Sequence, residues 1–251
     1  MSDPGRLDGN VAVITGAASG MGLASVQRFL ELGALVPAVD RDGERLDTLE
    51  LPSDRVLRIT ADVTDEPSVH EIVARTIDCF GRVDTYFNNA GVPMRVKPMW
   101  EATVQEWRAI ADVNVTAILI GVRAVIGHMR ERGSGCFIVT SSTGGIRPRP
   151  NMSAYTASKA AAIIAVQTLA LEVAADGVRA NAICPVAADT PMLDQFEFGG
   201  RAQTIEQLVQ ATPMGRLAHA EDVAHAAAFL ASDAAAFITG VALPVDGGRT
   251  I

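Results

Sequence analysis

The sequence has no excess of positive charge: its 251 residues hold 21 lysines and arginines against 29 aspartates and glutamates, a formal net charge of −8. Such a chain repels a polyanion, so no nucleic acid is expected as a partner. Cysteine and histidine are scarce. Cys79, Cys136 and Cys184 are an odd, widely spaced set in apolar surroundings, which points to reduced packing thiols and away from a disulfide framework. His70, His128, His219 and His225 show no spacing that suits zinc or a metal pair, and no metal is expected. The first residues, Met1 to Gly16, lack the basic segment, apolar stretch and small-residue cleavage site of a secretory signal. No uninterrupted apolar run approaches the roughly 18 residues that a membrane-spanning helix needs. A cytoplasmic protein with no membrane partner is the resulting expectation. No linker, low-complexity tract or fixed-period repeat divides the chain, and its length suits one large α/β domain.

What is present is a regular alternation. Short β-branched apolar runs predict strands at Val11–Thr15, Ala34–Val39, Arg55–Ile59, Val83–Asn88, Cys136–Thr140, Arg179–Ile183 and Val241–Val245. Helical spacing of small and aliphatic residues predicts helices over roughly 20–32, 65–80, 101–131, 152–176 and 219–232. Strand and helix in strict succession imply a mostly parallel sheet of seven strands covered on both faces, an α/β doubly wound domain. Segment 186–212 departs from the rhythm, with Pro191, the Gly199-Gly200 pair and scattered Met and Phe. It reads as an excursion with a short helix at the carboxyl edge of the sheet, placed as a substrate lid would be.

Directly after the first strand runs Thr15-Gly16-Ala17-Ala18-Ser19-Gly20-Met21-Gly22, then an apolar-periodic helix. Missing Cβ atoms let this turn tighten and its backbone approach a pyrophosphate, which the helix N-terminus meets with unpaired amides and partial positive charge. A dinucleotide cradle is predicted. Eighteen residues after Gly22 the second strand ends at Asp40, where a carboxylate can bond the adenosine ribose hydroxyls and repel a 2′-phosphate. NAD is therefore favoured over NADP. Arg41 is the one neighbour that could meet a phosphate, and the alternative for Asp40 is a cap on the helix that follows.

Tyr155 and Lys159 are four apart in a predicted helix and share one face. A phenol with its usual pKa near 10 is a poor proton carrier at neutral pH, and adjacent positive charge lowers that value. Lys159 supplies one charge and an oxidised nicotinamide would supply another. Thirteen residues before Tyr155, Ser142 follows a strand and offers a hydroxyl at the ligand-binding edge, where it can donate to an oxygen that gains charge. Ser141 competes for that role, and strand alternation lets only one of the two face the cleft. Asn114, mid-helix among aliphatic residues, needs a hydrogen-bonding partner and could serve to tie backbone together.

These features together resemble the short-chain dehydrogenase/reductase family, over nearly the whole sequence. The matching residues are Thr15 to Gly22, Asp62-Val63, Asn88-Asn89-Ala90-Gly91, Asn114, Ser141-Ser142, Tyr155 with Lys159, and Asp246-Gly247-Gly248. The resemblance implies a Rossmann-type fold and an oxidoreductase that interconverts a secondary alcohol and a ketone. It assigns Asn114, Ser142, Tyr155 and Lys159 as catalytic, with Asn114 distorting its helix and holding a water that links Lys159 to solvent. It further implies that Gly16, Ser19, Gly20, Met21, Gly22, Asp40, Arg41, Asp62, Val63, Asn89, Ala90, Gly91, Tyr155, Lys159, Pro185, Val186 and Thr190 bind the cofactor, with Asp62 and Val63 flanking the adenine. Asn88 would support the sheet. A homotetramer follows from the same source, with helices 101–131 and 152–176 packing between subunits.

The sequence leaves the family pattern after the sixth strand, where Val186 stands in place of the usual glycine. A β-branched residue does not take positive φ with ease, so either the turn is reshaped or the position never needed that conformation. The predicted pocket walls are Val92, Pro93, Met94, Thr143, Gly144, Val186, Met192, Phe196 and Phe198, an apolar set that favours a substrate with a hydrophobic body. Arg147 and Arg149, flanked by prolines, read as solvated loop residues more readily than as contacts to an anionic substrate. The rival enzymatic reading is a reductase of 3-oxoacyl thioesters on a carrier protein or CoA, which would want NADPH and a basic docking surface. A nucleotide-binding sensor without turnover is the reading from another class, and it predicts damage to the four catalytic positions.

Overall fold

The structure is a computed structural model that describes residues 3–190, 192–193 and 200–251. Seven strands, β1 (Ala12–Thr15), β2 (Val36–Asp40), β3 (Val56–Thr60), β4 (Thr85–Asn88), β5 (Gly135–Thr140), β6 (Val178–Pro185) and β7 (Ala242–Val245), form one sheet in the order β3-β2-β1-β4-β5-β6-β7. Every pairing is parallel, so the doubly wound sheet expected as mostly parallel is wholly so. Chain direction across the sheet reverses between β1 and β4, and such a switch opens a crevice beyond the carboxyl ends of the strands.

The helices are α1 (Gly20–Glu31), α2 (Gly43–Asp47), α3 (Glu66–Phe80), α4 (Val104–Ala111), α5 (Ala117–Arg132), α6 (Thr143–Ile146), α7 (Ser153–Val173), α8 (Arg201–Gln210) and α9 (Ala220–Ala231). Strand periodicity of two sorts neighbouring residues to opposite faces. Val13, Tyr86, Phe137 and Val139 pack with Ile72 of α3, Val125 and Met129 of α5 and Val166 of α7. Their neighbours Ile14, Phe87 and Ile138 pack on the other face with Phe29 of α1 and Val223 and Leu230 of α9. At the first face the rings of Tyr86 and Phe137 stack with centroids 5.4 Å apart. Both faces are buried, which is why the strands read as continuous apolar runs and not as alternating ones.

The structure departs from the sequence reading in three places. The predicted helix 101–131 is broken: α4 and α5 are joined by a π-helical turn, Asp112–Thr116, centred on Asn114. Five-residue α2 and four-residue α6 lack the length to show a period, and the sequence does not predict them. Cys136 and Cys184 are buried, and burial pushes both thiols up to about 11, but Cys79 is exposed and is not a packing thiol. Val104–Arg132 and Ser153–Asp176 are long and apolar enough to cross a membrane by length and composition, although in neither does an unbroken apolar run approach that length. Each gives one side to the core and leaves apolar residues on the other, with Leu119 59 %, Ile164 62 % and Leu171 85 % exposed.

Candidate active site

The cleft is built on a lattice across the ends of three neighbouring strands. Thr15 Oγ1, at the end of β1, accepts the amides of Asn89 and Ala90, each at 3.0 Å. Asn89 Nδ2 donates to the Thr15 carbonyl at 3.0 Å, and Thr140 Oγ1, at the end of β5, donates to Asn89 Oδ1 at 2.9 Å. Cross-strand support expected of Asn88 comes from Asn89 instead, and Asn88 Oδ1 is buried without a partner. Against this lattice lies the glycine turn. Gly16 takes φ +69°, and a Cβ on Gly22 would stand 1.9 Å from the Gly16 carbonyl oxygen. Ser19 starts α1 without spending its hydroxyl on a cap, and the first turn holds no acidic residue. The free amides of that turn and the positive helix end therefore face the cleft, a fit for the pyrophosphate of a dinucleotide.

A cavity of about 900 Å³ runs from Asp40 past the glycine turn to Tyr155 and beyond. Gly16, Ser19, Gly20, Met21, Gly22, Asp40, Arg41, Asp62, Val63, Asn89, Ala90, Gly91, Pro185, Val186 and Thr190 all line it. At its adenosine end Asp40 Oδ2 accepts the Ala18 amide at 2.9 Å and Oδ1 the Asp42 amide at 3.0 Å. Helix α2 is capped by Asp42 and not by Asp40, since Asp42 Oδ1 accepts from the Arg45 amide. The Asp40 carboxylate keeps acceptor capacity for hydroxyls in the cleft. Asp62 is held below the usual carboxylate range by bonds from the Thr64 amide and hydroxyl, with Arg41 adding to the effect. Arg45, which the sequence reading passed over, also lines this end.

Tyr155 and Lys159 stand on the inner face of α7, 8 % and 5 % exposed. Lys159 Nζ donates to the Thr140 carbonyl at 2.9 Å and lies 5.7 Å from the centre of the Tyr155 ring. Burial strips the ammonium of water and brings its pKa down to about 8. The phenol responds oppositely: burial raises it above its ordinary value, while a hydrogen bond with Ser142 and the charge of Arg149 pull it back. Lys159 alone does not depress Tyr155 as the helical pairing suggested, because desolvation of the phenol outweighs the chain's own positive charges.

The two serines divide as strand alternation requires. Ser141 donates its hydroxyl to the Lys159 carbonyl at 2.7 Å, and Ser142 is left beside the phenol, its Oγ accepting the Gly144 amide at 3.0 Å. Asn114 Nδ2 donates to the Val92 carbonyl at 3.0 Å and to Ser158 Oγ at 3.1 Å, while Oδ1 accepts the Val92 amide at 2.9 Å. Its carboxamide is thus spent on fixing the loop after β4. A Cβ on Gly91 in that loop would come within 3.2 Å of Asn114 Oδ1 and 3.3 Å of Lys159 Nζ, so only glycine leaves both in place.

At the substrate end Val92, Pro93, Thr143, Val186 and Met192 line the cavity. Met94 is buried behind Tyr155, where its sulfur accepts the Tyr155 amide at 3.4 Å, and Gly144 packs against Thr156; neither is a wall. Phe196 and Phe198 lie outside the described residues. Val186 is 4 % exposed, and the only non-glycine residue with positive φ among the described residues is Asn151, so position 186 does not demand a glycine. Thr190 packs over the start of α1, its Cγ2 within 3.4 Å of where a Gly20 Cβ would be. Arg149 is half-buried in the wall and is joined there by Arg249, which comes from the far end of the chain. Arg249 gave no local signal, because its neighbourhood exists only after β7 returns the C-terminus to the cleft.

A family profile described as "Enoyl-(Acyl carrier protein) reductase" matches residues 16–250. Levodione reductase of Leifsonia aquatica is 34 % identical, over 98 % of this chain and 96 % of its own. Cis-4-hydroxycyclohexanecarboxylate dehydrogenase of Sinomonas cyclohexanicum is 38 % identical, over 96 % of each. Among solved structures, the 3-ketoacyl-(acyl-carrier-protein) reductase of Brucella melitensis complexed with NADH aligns over 98 % of this chain and all of that one, with 38 % identity and a TM-score of 0.92. With that agreement in length, sequence and fold, the chain belongs to the short-chain dehydrogenase/reductase family and is an oxidoreductase of CH–OH groups.

Proposed function

We propose that the chain is an NAD-dependent dehydrogenase that interconverts a secondary alcohol and a ketone on a mainly apolar small molecule, with Tyr155 as the acid/base, assisted by Ser142, Lys159 and Asn114. One observation carries the reading: a buried phenol, the serine hydroxyl bonded to it and a buried ammonium converge on one wall of the dinucleotide cleft. When bound, the nicotinamide supplies hydride transfer. In the oxidative direction Tyr155 takes the proton of the substrate hydroxyl, and in reduction it gives that proton back. Ser142 Oγ, whose lone pair is engaged by the Gly144 amide, directs its own proton at the substrate oxygen as charge develops there. Lys159, fixed by the Thr140 carbonyl, gives the phenolate a positive neighbour. Asn114 acts at one remove, holding the Gly91-Val92 backbone that borders Lys159.

Preference for NAD rests on Asp40, whose carboxylate would face a 2′-phosphate with like charge. A 3-oxoacyl thioester is the second reading, favoured by the likeness to the Brucella melitensis reductase. Asp40 does not separate the two, because that enzyme is complexed with NADH. Turnover of a 3-oxoacyl-CoA against that of simple cyclic ketones separates them. The exposed apolar residues Leu119 of α5 and Ile164 and Leu171 of α7 support a homotetramer with these helices shared between subunits. In α7 the two residues are seven apart and occupy one face.

Three outcomes are expected. Tyr155→Phe lowers kcat by about 10²- to 10⁴-fold, the range for a lost acid/base, while NAD binding persists; near-native kcat in that variant removes Tyr155 from the mechanism. For the wild type, kcat/KM with NAD exceeds that with NADP, and Asp40→Ala shifts the ratio toward NADP by about tenfold or more, equivalent to about 1.4 kcal/mol. Equal use of both cofactors by the wild type overturns the NAD preference. Light scattering gives a mass four times the 26.4 kDa of the chain, and a monomeric mass at working concentration rejects the tetramer.

A further inference from the structure

Charge is distributed unevenly along the cleft. Among the described residues, the carboxylates that line it are Asp40, Asp42 and Asp62, all at the adenosine end. The opposite end, beyond Tyr155, is lined by Arg149 and Arg249 with no carboxylate, and Arg147 is close enough to repel both. None of the three arginines has a hydrogen bond or ion pair with another residue through its side chain among the described residues. This is a local positive field in a chain whose net charge is −8.

Arg249 is the more unusual of the pair. Its Nε and Nη1 are sealed from solvent and bonded to nothing. A guanidinium carries five N–H donors and no acceptor, and leaving the three on Nε and Nη1 dry is costly. The nearest acid, Asp246, does not take them up: its Oδ1 accepts the Gly248 amide at 3.0 Å, and its Oδ2 accepts the Thr250 amide at 2.9 Å and the Thr250 hydroxyl at 2.6 Å. Those bonds fold residues 246–250 into a fixed loop. Gly247 and Gly248 turn through φ +58° and +87°, and a Cβ on Gly247 would meet Thr212 at 2.9 Å. The loop therefore holds Arg249 toward the cavity. Arg149 is held independently, between Pro148 and Pro150, with the following Asn151 in the left-handed region and its carbonyl accepting the Lys97 amide at 3.0 Å. Two segments a hundred residues apart thus bring unpaired guanidinium groups to one wall, next to the phenol.

We propose that Arg149 and Arg249 form an anion-binding subsite at the substrate end of the cleft, which takes a carboxylate or sulfonate carried by the substrate away from its reacting carbinol. The inference rests on the dehydrogenase reading above and narrows its substrate class to anionic alcohols and ketones. A compact oxyanion fits because it accepts two parallel N–H bonds from a guanidinium, and Arg249, turned onto it, brings donors that are otherwise sealed and unpaired into those bonds. Anchoring that end fixes the carbinol opposite Tyr155, which raises the fraction of bound substrate in reactive geometry. The apolar residues Val92, Pro93 and Val186 are left for the body of the molecule.

The test compares a hydroxycyclohexane bearing a ring carboxylate with the methyl ester of the same alcohol, at saturating NAD and fixed ionic strength. Wild-type kcat/KM favours the acid by about 10- to 100-fold, the range of a charge-assisted hydrogen bond. In Arg249→Gln and Arg149→Gln the acid-to-ester ratio falls toward one, mainly through KM for the acid. A wild-type ratio of one or less, or a ratio that the variants do not alter, overturns the subsite. So does a preference for a 3-oxoacyl-CoA over every small acid that both variants abolish, since the arginines then serve a large polyanionic carrier. Calorimetric titration with cyclohexanecarboxylate, which has no hydroxyl to oxidise, separates the two layers of the argument. Arginine-dependent binding without turnover of any alcohol upholds the subsite and removes the dehydrogenase reading, whereas turnover of alcohols without such binding does the reverse.

Discussion

The carboxamide of Asn89 is the interaction on which the cleft depends. It stands just past β4, between the ends of β1 and β5, and joins the Thr15 carbonyl on one side to the Thr140 hydroxyl on the other. The glycine turn and Lys159 both refer to that bridge. The glycine turn packs on it, since a Cβ on Gly16 or Gly22 would come within 3.1 Å or 2.8 Å of Asn89 Nδ2. Lys159 is tied to the Thr140 carbonyl, so the ammonium is indexed to the same strand end as the cofactor loop. Phosphate cradle and proton-transfer group therefore keep a fixed separation without any contact between them. A parallel sheet makes this possible, because all its strands end on one side and present their last residues together.

Burial then sets the chemistry. Taken into the protein, the phenol of Tyr155 rises above its ordinary pKa and the ammonium of Lys159 falls to about 8, both because water is excluded. The two shifts drive the groups' affinities for protons apart, so that without cofactor the phenol keeps its proton while the ammonium gives its own up more easily. What opposes desolvation at the phenol is positive charge and hydrogen bonding: Ser142, Arg149 and, when bound, an oxidised nicotinamide. The same shortage of water makes the unpaired guanidinium of Arg249 conspicuous. A polar group buried at the functional end of a cleft calls for a ligand more strongly than any solvated arginine does.

Much of this was legible in the sequence where a regular period carried the information. Val13 and Ile14, Tyr86 and Phe87, Phe137 and Ile138 each divide between the two faces as a period of two demands, and the seven strands lie where apolar runs were read. Tyr155 and Lys159 share a face because they are four apart in a helix. What stayed hidden depends on long-range contact or on backbone detail. Asn88 and Asn89 are chemically alike, and only the register of β4 shows which one bridges the sheet. Asn114 signalled a polar anomaly in a helix, but not that the helix would break into α4 and α5 around a π-helical turn. Val186 left two readings open, a reshaped turn or a position that never needed positive φ, and only the backbone shows that it does not adopt that conformation. Arg249 has no neighbour in sequence to betray it and enters the cleft only because Asp246 folds the last residues back.

The account's central claim is that desolvation and positive charge compete at Tyr155, and that bound cofactor tips the balance toward phenolate. The chain has two tyrosines, and the other, Tyr86, is fully buried in the core with its pKa pushed well up by burial. Ultraviolet phenolate absorbance therefore reports on Tyr155 with little interference. Titrated without cofactor, the phenol should ionise above its ordinary value; with oxidised NAD bound, its midpoint should fall, and in Arg149→Gln it should rise in both states. A midpoint that NAD leaves in place, or one that Arg149→Gln does not move, contradicts the claim.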